Sequence, residues 1–186
     1  NGKVSAKIDY KNGKMDGKYI EYYEDGTKAS ESDYKNDALN GLTTLYNEDG
    51  SVSLKANYLN DLLEGDYTEY YPNGKVKLTG KCSQDKRIGE FNSYHENGNF
   101  YCKMNYVNGA IEGTVTAYYP DGKINTITEY KNGKKNGLHK IYFADKQKSA
   151  TYQDTYKDDV LLESKSFDAN GKLLEVRKFD SEGEAI

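Results

Sequence analysis

The chain has 186 residues, 26 Lys and Arg against 30 Asp and Glu, a net charge of -4 and a pI near 5.3. That balance excludes a general nucleic-acid binder, which needs a clustered basic surface; the local group Lys131, Lys134, Lys135 and Lys140 reads as a solvated loop. No apolar run approaches the ~20 residues of a membrane-spanning helix.

In chain order, one unit recurs. Tyr22, Tyr46, Tyr70, Tyr94, Tyr118 and Tyr142 stand 24 residues apart, and a fixed period of this size marks a repeat architecture. A second ladder runs in phase: Tyr10, Tyr34, Tyr58, Tyr106 and Tyr130, with Cys82 in the gap. Gly17, Gly41, Gly65, Gly89, Gly113 and Gly137 form a third, and Gly26, Gly50, Gly74, Gly98 and Gly122 a fourth.

Within the first full unit, residues 17–23 are rich in aromatic and β-branched types and predict a strand. Glu24-Asp25-Gly26 follows, matched later by Pro72-Asn73-Gly74 and Pro120-Asp121-Gly122. Pro presets φ for a type I turn. Asp or Asn follows, and Gly takes the left-handed place that closes a three-residue hairpin loop. The loop predicts Tyr23 facing Thr27 and Tyr22 facing Lys28, with Val52, Val76, Phe100 and Ile124 opposite the later ladder tyrosines. Counting by twos along the second strand then puts Leu54, Leu78 and Cys102, Ala56 and Met104, and Tyr58 and Tyr106 on the same face as that ladder. Lys55 and Lys103 fall on the other. The next connection, residues 35–41, reads as longer, with a recurrent Asn at Asn12, Asn36, Asn60, Asn108 and Asn132.

After Gly137 the pattern blurs. Lys146 replaces the turn glycine, and two extra residues carry the next ladder tyrosine to Tyr156. The turn resumes at Phe167-Asp168-Ala169-Asn170-Gly171. The expected organisation is therefore regular 24-residue hairpin repeats over 1–145 and degenerate C-terminal repeats or a cap over 146–186, in one continuous array. The expected fold is all-β: an elongated single-layer antiparallel β-meander of about 15 strands. Cys82 and Cys102 fall on second strands of neighbouring hairpins, two strand spacings apart, and are expected to be free thiols in the core.

The motif G-x-Y-x-E-Y-Y-x-D/N-G-K, in Gly17–Lys28 (with Thr27 before the lysine), Gly65–Lys75 and Gly113–Lys123 (with Val115 and Ala117 in place of its first Tyr and its Glu), resembles the bacterial MORN repeat variant. The resemblance covers Gly2 to about Phe179 and implies a non-catalytic interaction module. Some similar proteins are labelled antitoxins, and others look exported or envelope-bound, so a secreted or envelope location is favoured slightly over the cytoplasm. The chain departs from the pattern at Cys82, Lys146 and 147–163.

No catalytic, metal or cofactor motif appears. His95 and His139 occupy different slots in repeats two apart, and one Asp per turn falls short of a Ca²⁺ site. One aromatic set falls opposite the ladder: Tyr19, Tyr23, Tyr67, Tyr71, Phe91, Tyr101, Tyr119 and Phe143. Cross-strand packing explains it on one reading; on the other it is an interaction stripe for a partner. The partner expected is a protein, with self-association through open edge strands left open. The alternatives are a cell-wall or carbohydrate-binding module, disfavoured by the absence of Trp, and an antitoxin-like partner of a toxin. Membrane or glycan contact has no support in the sequence, and no cofactor is expected.

Overall fold

A computed structural model describes residues 4–144 and 150–186. The turn at Lys146 lies outside them. The described residues form strands and turns without helix, in one open antiparallel sheet of 16 strands in hairpin order. They are β1 Ala6–Lys11, β2 Lys14–Tyr22, β3 Lys28–Lys35, β4 Ala38–Tyr46, β5 Val52–Leu59, β6 Leu62–Tyr70, β7 Val76–Ser83, β8 Lys86–Tyr94, β9 Phe100–Val107, β10 Ala110–Ile111, β11 Gly113–Tyr118, β12 Ile124–Lys131, β13 Lys134–Ile141, β14 Tyr152–Lys157, β15 Val160–Phe167 and β16 Leu173–Lys178. By its contacts the chain divides into two compact units, Asn1–Ile88 with Glu96–Gly98, and Gly89–His95 with Asn99–Ile186.

The three-residue loops form as expected. Tyr23 N–H donates to Thr27 C=O at 2.8 Å, Gly26 N–H donates to Tyr23 C=O at 2.9 Å, and Gly26 sits at φ +97°. Tyr22 pairs with Lys28, Tyr46 with Val52, Tyr70 with Val76, Tyr94 with Phe100 and Tyr118 with Ile124.

The other connection differs from expectation. It is a two-residue turn rather than a seven-residue one: Lys35 pairs with Ala38, and Asn36 and Asp37 both have positive φ, +50° and +72°. This is the geometry of a tight hairpin whose twist matches the strands. Asn tolerates the left-handed region. Asp accepts it here because its carboxylate reaches an earlier repeat. Asp37, Asp61 and Asp85 Oδ1 accept from Met15, Leu39 and Leu63 N–H at 2.7, 2.7 and 2.8 Å, and Asp159 accepts from Lys135 N–H at 2.8 Å. The backbone returns the bond: Asp61 N–H donates to Leu39 C=O at 3.0 Å. So the turn survives intact at Asp158-Asp159, inside the stretch where the sequence pattern blurs.

All six ladder glycines sit at positive φ, and at Gly17, Gly41 and Gly137 a side chain would also clash. At Gly41, φ is +133°, and an added Cβ would lie 2.8 Å from Asp33 Cβ. There the register slips between Ser32 and Tyr34, and the backbone of β4 closes on the side chain of the preceding strand.

A second register shift corrects the expected faces. Leu45 pairs with Leu54 but Tyr46 with Val52, leaving Ser53 as an extra residue; likewise Ser93 pairs with Cys102 but Tyr94 with Phe100, leaving Tyr101 extra. A bulge of one residue reverses the alternation on the strand that carries it. Counting by twos through the bulge therefore fails. Leu54, Ala56, Tyr58, Cys102, Met104 and Tyr106 do not share a face with the Tyr22 ladder. They share it with Tyr19, Tyr67 and Phe91: Ala56 pairs with both Thr43 and Tyr67, and Phe91 pairs with Met104 and meets the Tyr106 ring edge-on at 5.1 Å. The supposed second aromatic face is thus the buried face of the sheet.

That face holds the core. In the first unit it is Ala56, Leu78 and Cys82 with Ser30, Ser32 and Thr43; in the second it is Phe91, Cys102, Tyr106, Ala117 and Thr128. Cys82 and Cys102 are buried free thiols, as the sequence predicts. Burial pushes both up, Cys102 to about 11.

Candidate functional site

The eight stripe residues divide by environment. Phe91 is 0% exposed and is a core residue. The Tyr19 hydroxyl donates to Glu21 Oε1 at 2.7 Å and its ring meets Tyr34 at 5.7 Å. The Tyr67 hydroxyl donates to Glu69 Oε1 at 2.8 Å under the Arg87 guanidinium, 5.8 Å from the ring centre. Both phenols are pushed up to about 12, Tyr19 chiefly by its bond to Glu21 and Tyr67 chiefly by burial.

Tyr23 and Tyr119 tie hairpins together. Tyr23 donates to Tyr46 C=O at 2.6 Å and Tyr119 to Tyr142 C=O at 3.0 Å, each one repeat on. His95 occupies the same slot, its Nε2 2.8 Å from Tyr118 C=O and its ring 5.0 Å from Tyr101. Tyr71 is half-buried in that slot too. Only Tyr101 and Phe143 among the eight stand exposed, at 36% and 41%. Phe143 meets Tyr152 edge-on at 6.1 Å.

The polar face carries what counting by twos missed. In the first unit, Lys28 Nζ lies 5.6 Å over the Tyr46 ring while paired to Glu31 at 2.7 Å. In the second unit the equivalent of Lys28 is Phe100, which meets Tyr94 at 5.8 Å and Tyr118 at 5.9 Å. Phe100 is 39% exposed. Two clefts of about 330 Å³ each flank this ring row. Asn99, Asp121 and Gly122 line one with Phe100 and Tyr118; Glu90, Asn92, Lys103, Thr114 and Thr116 line the other with the same two rings. Lys103 and Glu90 pair across it at 3.0 Å. The signal available in the sequence was the one aromatic residue in the series Lys28, Val52, Val76, Phe100, Ile124.

A polar row crosses the buried face of the second unit. Thr128 pairs with His139, His139 with Asp154, Asp154 with Ser164 and Ser164 with Arg177. Thr128 Oγ1 lies 2.8 Å from His139 Nδ1, and Asp154 Oδ1 is buried without a hydrogen-bond partner among the described residues. Burial holds His139 below its ordinary value, as does Lys135, while Asp154 opposes them. Hydroxyl, imidazole and carboxylate stand in the order of a nucleophilic triad. Thr128 is only 4% exposed, however, so the row has no substrate access at its hydroxyl. Among the described residues no group of three metal-ligating side chains forms.

Comparison with curated proteins gives no match. The family model for the MORN repeat variant matches residues 15–36, 63–80, 87–108 and 111–132. Each match contains a three-residue loop and one ladder glycine (Gly17, Gly65, Gly89 or Gly113), so it rests on the same turn and register features that build the sheet. MORN repeats serve in general as non-catalytic modules for protein or membrane interaction. Over these four repeats, 84 of its 186 residues, the chain matches the MORN repeat variant family.

Proposed function

We propose that this chain is a non-catalytic module that binds another protein through the ring row Tyr94, Phe100 and Tyr118. The observation that carries the proposal is the exposure of Phe100, at 39%, beside a cleft that apart from Tyr118 is lined by Glu90, Asn92, Lys103, Thr114 and Thr116. In the first unit the same position holds Lys28, whose charge is matched by Glu31, and the smaller Val52 and Val76. A phenylalanine there gives up solubility without filling the core, which is the signature of a contact surface. Tyr and Phe in a shallow cleft with charged rims have the composition of an interface centre. Of the stripe inferred from the sequence, Tyr101 and Phe143 are retained as a second contact; the other members already have intramolecular work.

The test is capture from lysate and envelope fractions of the source cell by immobilised protein, followed by titration of the captured protein. Phe100→Lys is the informative variant, because Lys28 shows that the fold accepts lysine at this position. A protein held by the wild type but lost with Phe100→Lys supports the reading. Equal capture by Phe100→Lys, or capture of polysaccharide alone, refutes it.

A further inference from the structure

Two cross-strand rows on the buried face of the second unit change character along the sheet. One runs Ser93, Cys102, Ala117, Thr126, Ile141, Tyr152, Ser166, Glu175. It is small and apolar where the core sits and hydrophilic at β14 to β16. The polar row beside it ends at Asp154, Ser164 and Arg177. Where the rows end together, Tyr152, Ser164, Ser166, Glu175 and Arg177 line a cleft of about 220 Å³. It lies beyond residue 132, where the last family match stops, so the repeat pattern does not account for it.

We propose that this cleft binds a single sugar ring. Its chemistry selects for a neutral, hydroxyl-rich ligand. Arg177 Nε and Glu175 Oε1 are already paired at 2.8 Å, so neither charge is left over for an ion. The guanidinium still has N–H groups to donate and the carboxylate has lone pairs to accept, side by side. A sugar hydroxyl both donates and accepts, and adjacent hydroxyls can use both groups without breaking the pair. Phosphate would meet the Glu175 carboxylate. The Tyr152 ring, 40% exposed and braced edge-on by Phe143, supplies an apolar wall for the C–H face of the ring. The two serines complete the polar lining.

A second observation points the same way. Asp154 Oδ1 is buried and lacks a donor, and Ser164 stands directly opposite it at the cleft wall. A hydroxyl rotates freely and can donate to one neighbour while accepting from another. Ser164 Oγ does not reach that oxygen, and its hydroxyl is placed at the cleft wall to donate to or accept from a ligand hydroxyl.

The experiment is an amide-resolved NMR titration of the full chain with glucose and, separately, N-acetylglucosamine. A ligand of this size is expected to bind in the millimolar range, so titration runs to about 50 mM. The expected result is shifts centred on Tyr152, Ser164, Ser166, Glu175 and Arg177 with either sugar. Tyr152→Ala should weaken binding at least about tenfold, the loss of one stacked wall, and Tyr152→Phe should retain it. Phe100→Lys should leave it unchanged, which separates this site from the protein-binding row. No shifts at the highest concentration, the same affinity in Tyr152→Ala with an intact spectrum, or stronger shifts of the same amides with glycine or phosphate would each overturn the proposal.

Discussion

The two ends of every hairpin in the first unit solve the same problem by different means. The loops at Glu24-Asp25-Gly26, residues 48–50 and residues 72–74 close with a glycine at positive φ, and the backbone bonds that shut them are local. The turns at Asn36-Asp37, Asn60-Asp61 and Gln84-Asp85 put non-glycine residues at positive φ and recover the strain through a carboxylate bonded 22 residues back. One end is closed by conformational freedom. The other is closed by a contact between repeats, so it contributes to stacking as well as to turning the chain. In a repeat array, where each unit depends on its neighbour, that second device couples the units.

The largest expected effect lies between the ends, at the bulge. Gly41→Ala would place a methyl 2.8 Å from Asp33 Cβ at φ +133°, and Asp33 cannot swing away because the clash is at its Cβ. The expected loss is about 3 kcal/mol or more, from strain and overlap together. Gly74→Ala, with nothing within 4 Å at φ +79°, should lose only about 1 kcal/mol. Urea unfolding of both variants reads the difference; equal losses would remove the steric account at Gly41.

Asp61 sharpens the comparison next. Asp61→Ala deletes the 2.7 Å bond to Leu39 N–H and leaves an alanine at φ +69°. About 2 kcal/mol should be lost, divided between backbone strain and the charge-assisted bond. Asp61→Gly deletes the same bond but relieves the backbone, as Gly13, Gly109 and Gly133 do in the equivalent turns, and should lose about 1 kcal/mol or less. If the two variants fall together, the carboxylate alone carries the turn and the strain argument fails.

Cys82 and Cys102 test burial more simply. Both thiols should react slowly with a disulfide reagent in the folded chain and at ordinary thiol rates in denaturant, because the thiolate is disfavoured at both sites. Fast native reaction at Cys102 would place it outside the core.

The strands, loops and cross-loop pairs were legible in the sequence because they are local. Asp-Gly and Pro-x-Gly signals state their own geometry, and Tyr22 opposite Lys28 follows from loop length alone. What counting could not see was the consequence of the bulge at Ser53 or Tyr101. One extra residue has no composition signal, yet it moved Leu54, Ala56 and Tyr58 to the face of Tyr67 and made Phe91 a core residue instead of a surface one. The Asp turns were misjudged as long for a related reason. Asn-Asp is a poor left-handed pair in isolation, and the carboxylate acceptor that makes it a good one belongs to another repeat. The Phe100 row was visible only as a break in a series, and the sugar cleft only after register brought β14, β15 and β16 together.

The smallest effect comes from the half-buried imidazole in the polar row. Burial and Lys135 hold His139 below 6.5, and the Asp154 carboxylate offsets this only in part. The unfolded chain therefore binds a proton that the folded chain refuses. In that condition stability rises with pH, so the His139 contribution is complete above about 6.5 and is lost as pH falls from 6.5 through the lower folded value. Carboxylates held low by partners, such as Glu31 beside Lys28, release their contribution only below their own ordinary value of 4.5, so the window between pH 6.5 and about 5 belongs to the imidazole. Unfolding free energy should slope gently downward across that window, and His139→Gln should flatten the slope while leaving the acid limb in place. Thr128 can donate to the neutral ring or accept from the charged one, so its 2.8 Å bond survives either state and does not reverse the sign. A slope unchanged in His139→Gln would show that the imidazole does not set the pH response across this window.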